Sequence, residues 1–296
     1  MRCLVIFSCM WLMLSCNAQI KKPNLLINKD NNTLLWQISG NGLQKPSYLF
    51  GTFHLMCKDD IQFSDQLKTA LANSTIMYME LDMDDPGLML SGMLLMTMKG
   101  GKKLSDFYSK DEYKKIDIFF KDSISAPLSF LQTMKPYMLL ALLYPKMMPC
   151  KTVSGVEEEL MKLAKSQKKE IKGLETMELQ AAVFDSIPYE EQAKELLKSI
   201  DSIEINEKNF DTLMKVYKSQ QLSAIEALFN KSEFGMQDHE DILLNKRNIN
   251  WVEQLGTILK KENVFIAVGA GHLVGENGLI ALLRKKGYKV LPLQNR

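Results

Sequence analysis

Short apolar runs bounded by glycine, asparagine or proline sit at the two ends of this chain, and longer runs with helical spacing fill its middle. Leu34-Leu35-Trp36-Gln37-Ile38 reads as a strand closed by a Gly40-Asn41-Gly42 turn, and Ser47–Phe50 as a second strand. Ile61–Asn73 has helical spacing. Thr75–Asp82 is apolar until it delivers Glu80 and Asp82 at its end, so the chain opens as β-β-α-β. Further on, Ser109-x-x-Glu112 and Ser154-x-x-Glu157 read as capping boxes, in which a hydroxyl and a carboxylate satisfy the free amides of a helix start. Pro136 and Pro188 suit first helical positions. Lys169–Leu174 is a short strand candidate before a helix over Thr176–Ser186. Amphipathic segments follow at Tyr189–Ile203, Asn209–Asn230 and Glu240–Lys261. The end returns to α/β, with a strand at Asn263–Val268, a helix at Leu279–Lys286 stopped by Gly287, and a last strand at Lys289–Leu293. The expected fold is therefore α/β (α+β): a single sheet from N- and C-terminal strands, with a large helical insertion over about residues 85–260.

Composition narrows this picture little. An apolar fraction of 46%, a charged fraction of 24% and a net charge of +2 are ordinary for a globular chain, and no basic block supports a nucleic-acid partner. The 19 methionines read as adaptable core filler. The N-terminus changes more. Arg2, the apolar stretch Leu4–Leu14 and the small residues up to Ala18 form a secretory signal over residues 1–18, leaving residues 19–296 as one domain. Cleavage after Ala18 is the favoured route, with lipid anchoring at Cys16 as the alternative. No later run is long enough for a transmembrane helix; Leu88–Met98 and Tyr137–Met148 are helix-length core segments. Export to the periplasm, cell surface or medium leaves Cys57 and Cys150 as a pair in a compartment that permits a disulfide. Such a bridge closes a loop of about ninety residues and stabilises by roughly 4–5 kcal/mol at most.

The chain has three histidines, and two of them share one frame: Gly51-Thr52-Phe53-His54 and Gly269-Ala270-Gly271-His272, each after an apolar run. In α/β sheets ligands bind outside the carboxyl ends of strands, and Gly51 and Gly269 suit sharp turns or close approach there. If the two strands are neighbours, His54, His272 and the strand-end Glu80 meet. Two imidazoles and a carboxylate can bind a divalent transition metal with open positions for water, or act without metal as an acid/base set. His239 lies in a polar run and reads as surface.

Taken in order, YLFGTFH, MELD, GVEEEL, GLETMELQ with FDSIP, KRNINW and VGAGHLVGENGL resemble the TraB/GumN family of bacterial exported proteins, related to the animal Tiki proteins, which are membrane-linked proteases. The resemblance runs from Leu34 to the C-terminus. It implies a metal-dependent, peptidase-like site with His54, Glu80 and His272 as ligands of Mn, Co or Zn. Arg247 would orient the carboxylate or steady oxyanion charge, with Asn248 beside it. Glu175 either joins the site or caps a helix. Lys246 stands where an acid is expected, which puts a local helper contact in doubt.

Other signatures are weak or missing. Gly269-x-Gly271-x-x-x-Gly275 is followed by no ribose-binding acid, so dinucleotide binding has little support. Gly-x-Ser-x-Gly and His-Glu-x-x-His are absent from the sequence. The expected function is a metal-dependent hydrolase of peptides or exported proteins. The alternative is a non-catalytic protein that binds a peptide or signal molecule in the same cleft.

Overall fold

The structure is a computed structural model that describes residues 32–88, 92, 96–229 and 239–296. The expected signal peptide, Cys16 and most of the Leu88–Met98 run lie outside the described residues. In chain order the elements are β1 (Leu35–Ser39), β2 (Ser47–Thr52), β3 (Met56–Cys57), α1 (Asp65–Asn73), β4 (Ile76–Met79), α2 (Lys110–Ile124) and α3 (Pro136–Leu143). They continue with β5 (Val153–Ser154), α4 (Val156–Ser166), β6 (Glu170–Gly173), α5 (Met177–Asp185), α6 (Tyr189–Asp201), α7 (Ile203–Ser219) and α8 (Leu222–Phe229). The last are α9 (Lys246–Lys261), β7 (Val264–Gly269), α10 (Leu279–Lys285) and β8 (Lys289–Pro292).

Six strands form one sheet in the order β6-β4-β7-β2-β1-β8. The four strands β6, β4, β7 and β2 are mutually parallel, while β1 runs antiparallel to both β2 and β8. The expected sheet from the two chain ends is thus present, and the middle of the chain adds β6 at one edge. Period-2 alternation separates its two faces. Phe265 and Ala267 pack with Leu67, Leu71 and Leu160 under α1 and α4. Val264, Ile266 and Val268 pack with Trp251, Leu255 and Leu283 under α9 and α10. A third core, around Phe120, Leu139 and Leu196, belongs to the helices between the strands.

Several local readings change. Gln220 adopts a left-handed conformation at φ 58° and splits the expected Asn209–Asn230 helix into α7 and α8. Its side chain accepts from the Leu34 N–H and donates to Asn295 O, tying the segments before β1 and after β8 to the break. The Ser109–Glu112 capping box is present. The Ser154–Glu157 box is not: Gly155 is the N-cap, Ser154 turns to Glu158 and Glu159, and Glu157 turns elsewhere. Pro136 does open α3, whereas Pro188 stands one residue outside α6. Gly51 is no turn residue; it lies within β2, where a Cβ would meet Leu34, Leu273 and Ala270 at 3.1–3.2 Å.

Two devices set the walls around the sheet's edge. The disulfide Cys57–Cys150 joins residues 93 positions apart and sits on a small β3–β5 ribbon. Lys135, buried at the start of α3, pairs with Asp185 at 2.7 Å and so anchors the end of α5. Among the described residues no helix is long and apolar enough to cross a membrane.

Candidate functional site

The carboxyl ends of the four parallel strands all open on one edge, and each strand is followed there by a chemically capable side chain. In spatial order these are Glu175 after β6, Glu80 after β4, His272 after β7 and His54 after β2. Register explains the convergence. Met79 faces Gly173 on one side and Ala267 on the other, and Thr52 faces Gly269. The Glu175 N–H donates to Glu80 O at 3.0 Å, so the pairing continues one step past the strands. This edge borders a cavity of about 530 Å³ whose walls include His54, Glu80, Glu157 and Arg247. Its apolar side is made by Met79, Met161, Val183, Phe184 and Leu243.

Arg247 is the centre of the cluster. A π-helical turn over Asp241–Asn245 precedes α9 and delivers Arg247, Asn248 and Trp251 to the strand ends. Its Nη2 donates to Glu80 Oε2 at 2.5 Å and to Glu175 Oε1 at 2.6 Å. Its Nε also faces Glu175 at 3.2 Å. Nη1 donates to Leu243 O at 2.8 Å and lies 3.2 Å from His272 Nε2. A guanidinium has five N–H donors, and all five are engaged. Of the two roles expected for Arg247, the geometry therefore favours orienting Glu80 over donating to a developing oxyanion. Glu175 lies in the network and caps no helix: its Oε2 also accepts from Trp251 Nε1 at 3.2 Å. Thr176 caps α5 in its place. Lys246 pairs with Asp241 on the surface and takes no part.

Glu80 is held from every side. The Gly269 N–H donates to Oε1 at 2.8 Å, and Gln180 Nε2 approaches Oε2 at 3.3 Å. A Cβ on Gly269 would press within 3.3 Å of the same oxygen, which accounts for glycine there. Burial pushes the Glu80 carboxyl up, but His272, Arg247, His54 and the Gly269 N–H outweigh it and bring it down to about 2.

His272 is buried in a 3₁₀ turn after β7, its ring 4.5 Å from the Trp251 ring and tilted 42° to it. Asn248 Nδ2 donates to Asn277 O at 2.8 Å, which leaves Asn248 Oδ1 to accept from His272 Nδ1 at 2.7 Å. The ring is thereby set as the Nδ1–H tautomer, with the Nε2 lone pair toward Arg247. Desolvation pushes its pKa down to about 3, and Arg247 and His54 add to this against the opposing pull of Glu80.

His54 is placed differently. Its side chain is 77% accessible, and Nδ1 contacts Glu157 Oε1 at 2.8 Å. Thr52 Oγ1 donates to that same oxygen at 2.6 Å. The Glu157 charge, opposed by desolvation, raises the His54 pKa to about 9; at such exposure, solvent screening moderates the pull. The pKa values of the two imidazoles from matching frames are thus shifted in opposite directions.

The expected metal set was His54, Glu80 and His272. His272 Nε2 lies 3.8 Å from Glu80 Oε1, but a guanidinium already contacts both groups, and His54 is committed to Glu157. Among the described residues no three His, Cys, Asp or Glu side chains gather as a metal-holding group. In this arrangement Arg247 and Glu157 occupy contacts that an ion held by these three residues would need. Glu157 is the residue that sequence reasoning missed. Its position in Gly155-Val156-Glu157 carries a signal only once Thr52 and His54 are known to lie across from it. His239, read as surface, is half-buried and lies 3.3 Å from Glu191, away from the cluster.

A family model described as TraB/PrgY/gumN matches residues 34–292. The chain belongs to the TraB/PrgY/gumN family. The matched range begins one residue before β1 and ends with β8, so it takes in every element that builds the site of this TraB/PrgY/gumN chain. No curated protein and no solved structure matches the chain.

Proposed function

We propose that this cavity is the site of a hydrolase acting on peptides or exported proteins, with His54 as its acid/base group. The observation that carries this reading is the placement of His54: an accessible imidazole on the cavity wall, backed by Glu157 through Nδ1, with Nε2 left for proton transfer. A carboxylate behind an imidazole fixes its tautomer and stabilises its charged form. Glu80, kept ionised beside it, would orient an attacking water, and Arg247 would hold Glu80 in place. The mixed apolar and charged lining suits a peptide segment. The disulfide favours an oxidising compartment, in keeping with export, and the expected relation of the family to Tiki proteases would favour a peptide over other acyl substrates.

A metal-assisted version with Mn, Co or Zn is the second reading. Its support is His272, whose Asn248 contact presents Nε2 as a lone pair near Glu80, as metal-bound histidines are commonly prepared. It requires Arg247 to release Nε2 and His54 to release Glu157. One experiment tests both versions: purified protein is incubated with a defined peptide mixture, with chelator or with each metal added, and products are read by mass spectrometry. Cleavage that survives chelator and is lost in His54→Ala and Glu80→Gln supports the first. Cleavage that needs a stoichiometric metal supports the second. Peptide binding without cleavage in any condition replaces both with the binding-protein alternative.

A further inference from the structure

The pair formed by His54 and Glu157 does not come from the sheet alone. His54 follows β2 and Glu157 lies in the first turn of α4, two segments about a hundred residues apart that meet through the small ribbon. Met56 pairs with Ser154 and Cys57 with Val153. Lys58 N–H donates to Thr152 O at 3.0 Å, and Val156 N–H donates to Phe53 O at 3.0 Å. Between them Gly155 lies so close that a Cβ would come within 2.8 Å of His54 O. Two residues in each ribbon strand are too few to hold a register independently. The Cys57–Cys150 bridge lies at the far end of this ribbon from His54, with Cα atoms 5.7 Å apart.

We propose that the Cys57–Cys150 disulfide is a positioning element of the site: it fixes the ribbon that presents Glu157 to His54. Opening it releases that pair and leaves Glu80, Arg247, Glu175 and His272 in place. Glu80, Glu175 and His272 directly follow sheet strands and Arg247 lies in α9, and their contacts to one another run through no ribbon residue. A disulfide acting only as a general staple would loosen both halves together. The functional part of this inference rests on the hydrolase reading; the structural part does not.

The test is hydrogen exchange on the full-length protein, oxidised and after dithiothreitol. In that exchange the bridge gains two electrons and two protons as two thiols, and the dithiol closes to its own disulfide. A Cys57→Ser/Cys150→Ser variant is measured alongside, as is Gly155→Ala, which keeps the bridge but crowds the His54 carbonyl. Segments 53–57 and 150–158 are expected to exchange at least tenfold faster in all three, with 76–80 and 264–273 unchanged. Unchanged ribbon protection after the bridge is shown open, or equal loss of protection in both regions, overturns the proposal. In the peptide assay, reduction is expected to lower kcat at least tenfold with KM little moved, and to add nothing in a Glu157→Gln background. Additive losses there would show a general staple and overturn positioning. If the oxidised protein cleaves no peptide, the hydrolase reading falls while the exchange result still decides the ribbon's role.

Discussion

Two ion-pair clusters share one cavity and are built in opposite ways. Around Arg247 the side chains are largely shielded from solvent, with Arg247 14%, Glu80 13% and Glu175 5% accessible. Around His54 the imidazole is 77% accessible and has a single carboxylate partner. Burial makes the first cluster rigid and expensive to disturb, because an ion stripped of its partner there is left without water. Exposure makes the second inexpensive to disturb and free to exchange protons. A reactive centre needs both: a fixed charge frame, and one group that changes its state against that frame.

The largest effect should come from breaking the frame. Arg247→Met leaves Glu80 and Glu175 facing each other unpaired and is expected to cost about 3–5 kcal/mol of stability. Urea unfolding reads this out; a loss below about 1 kcal/mol would mean the frame is not the buried network described. Removing the Cys57–Cys150 bridge is expected to cost about 2–4 kcal/mol in the same assay. Asn248→Ala removes the acceptor for His272 Nδ1 and the donor to Asn277, and about 1–3 kcal/mol should follow. Imidazole ¹⁵N spectra, simple in a chain with three histidines, should show His272 losing its fixed Nδ1–H tautomer. His54→Ala, by contrast, should change stability by no more than about 1 kcal/mol, as an exposed pair does, while abolishing turnover.

Acid and base should also act on the two clusters in opposite directions. Folding lowers the Glu80 pKa from 4.5 to about 2 and that of His272 from 6.5 to about 3. Between these limits the unfolded chain binds more protons, so stability falls with acid, first from pH 6.5 through His272 and then from 4.5 through Glu80. Glu157 raises His54 above 6.5, so its contribution is full below 6.5 and fades as pH rises toward 9, with solvent screening at this exposure holding it within about 1 kcal/mol. Stability measured across pH should therefore lose its alkaline decline in His54→Ala and keep its acid one. An acid limb unchanged in a folded His272→Asn variant would contradict the assignment to His272.

Much of this frame is legible in the chain. Apolar runs ending in Glu80, His54 and His272 mark strand ends because a buried parallel strand must be apolar until it reaches the edge, where water or a partner can receive charge. The paired Gly-x-x-His frames point to neighbouring strands, and β2 and β7 are neighbours. Cys57 and Cys150, the pair left when the N-terminus is read as an export signal, point to a bridge, and it is present. What the order of residues could not show is which partner each charged group would take. Glu157 reads as a helix cap from its spacing and becomes the partner of His54 because the ribbon turns it inward. Arg247 is placed in the site by the family resemblance alone, and a π-turn carries it between Glu80 and Glu175. Local pattern determines which side chains reach the sheet's edge, since burial and periodicity act along the chain. Only the tertiary structure decides their pairings, since attraction between charges depends on distance through space and residues far apart in sequence compete for the same partner.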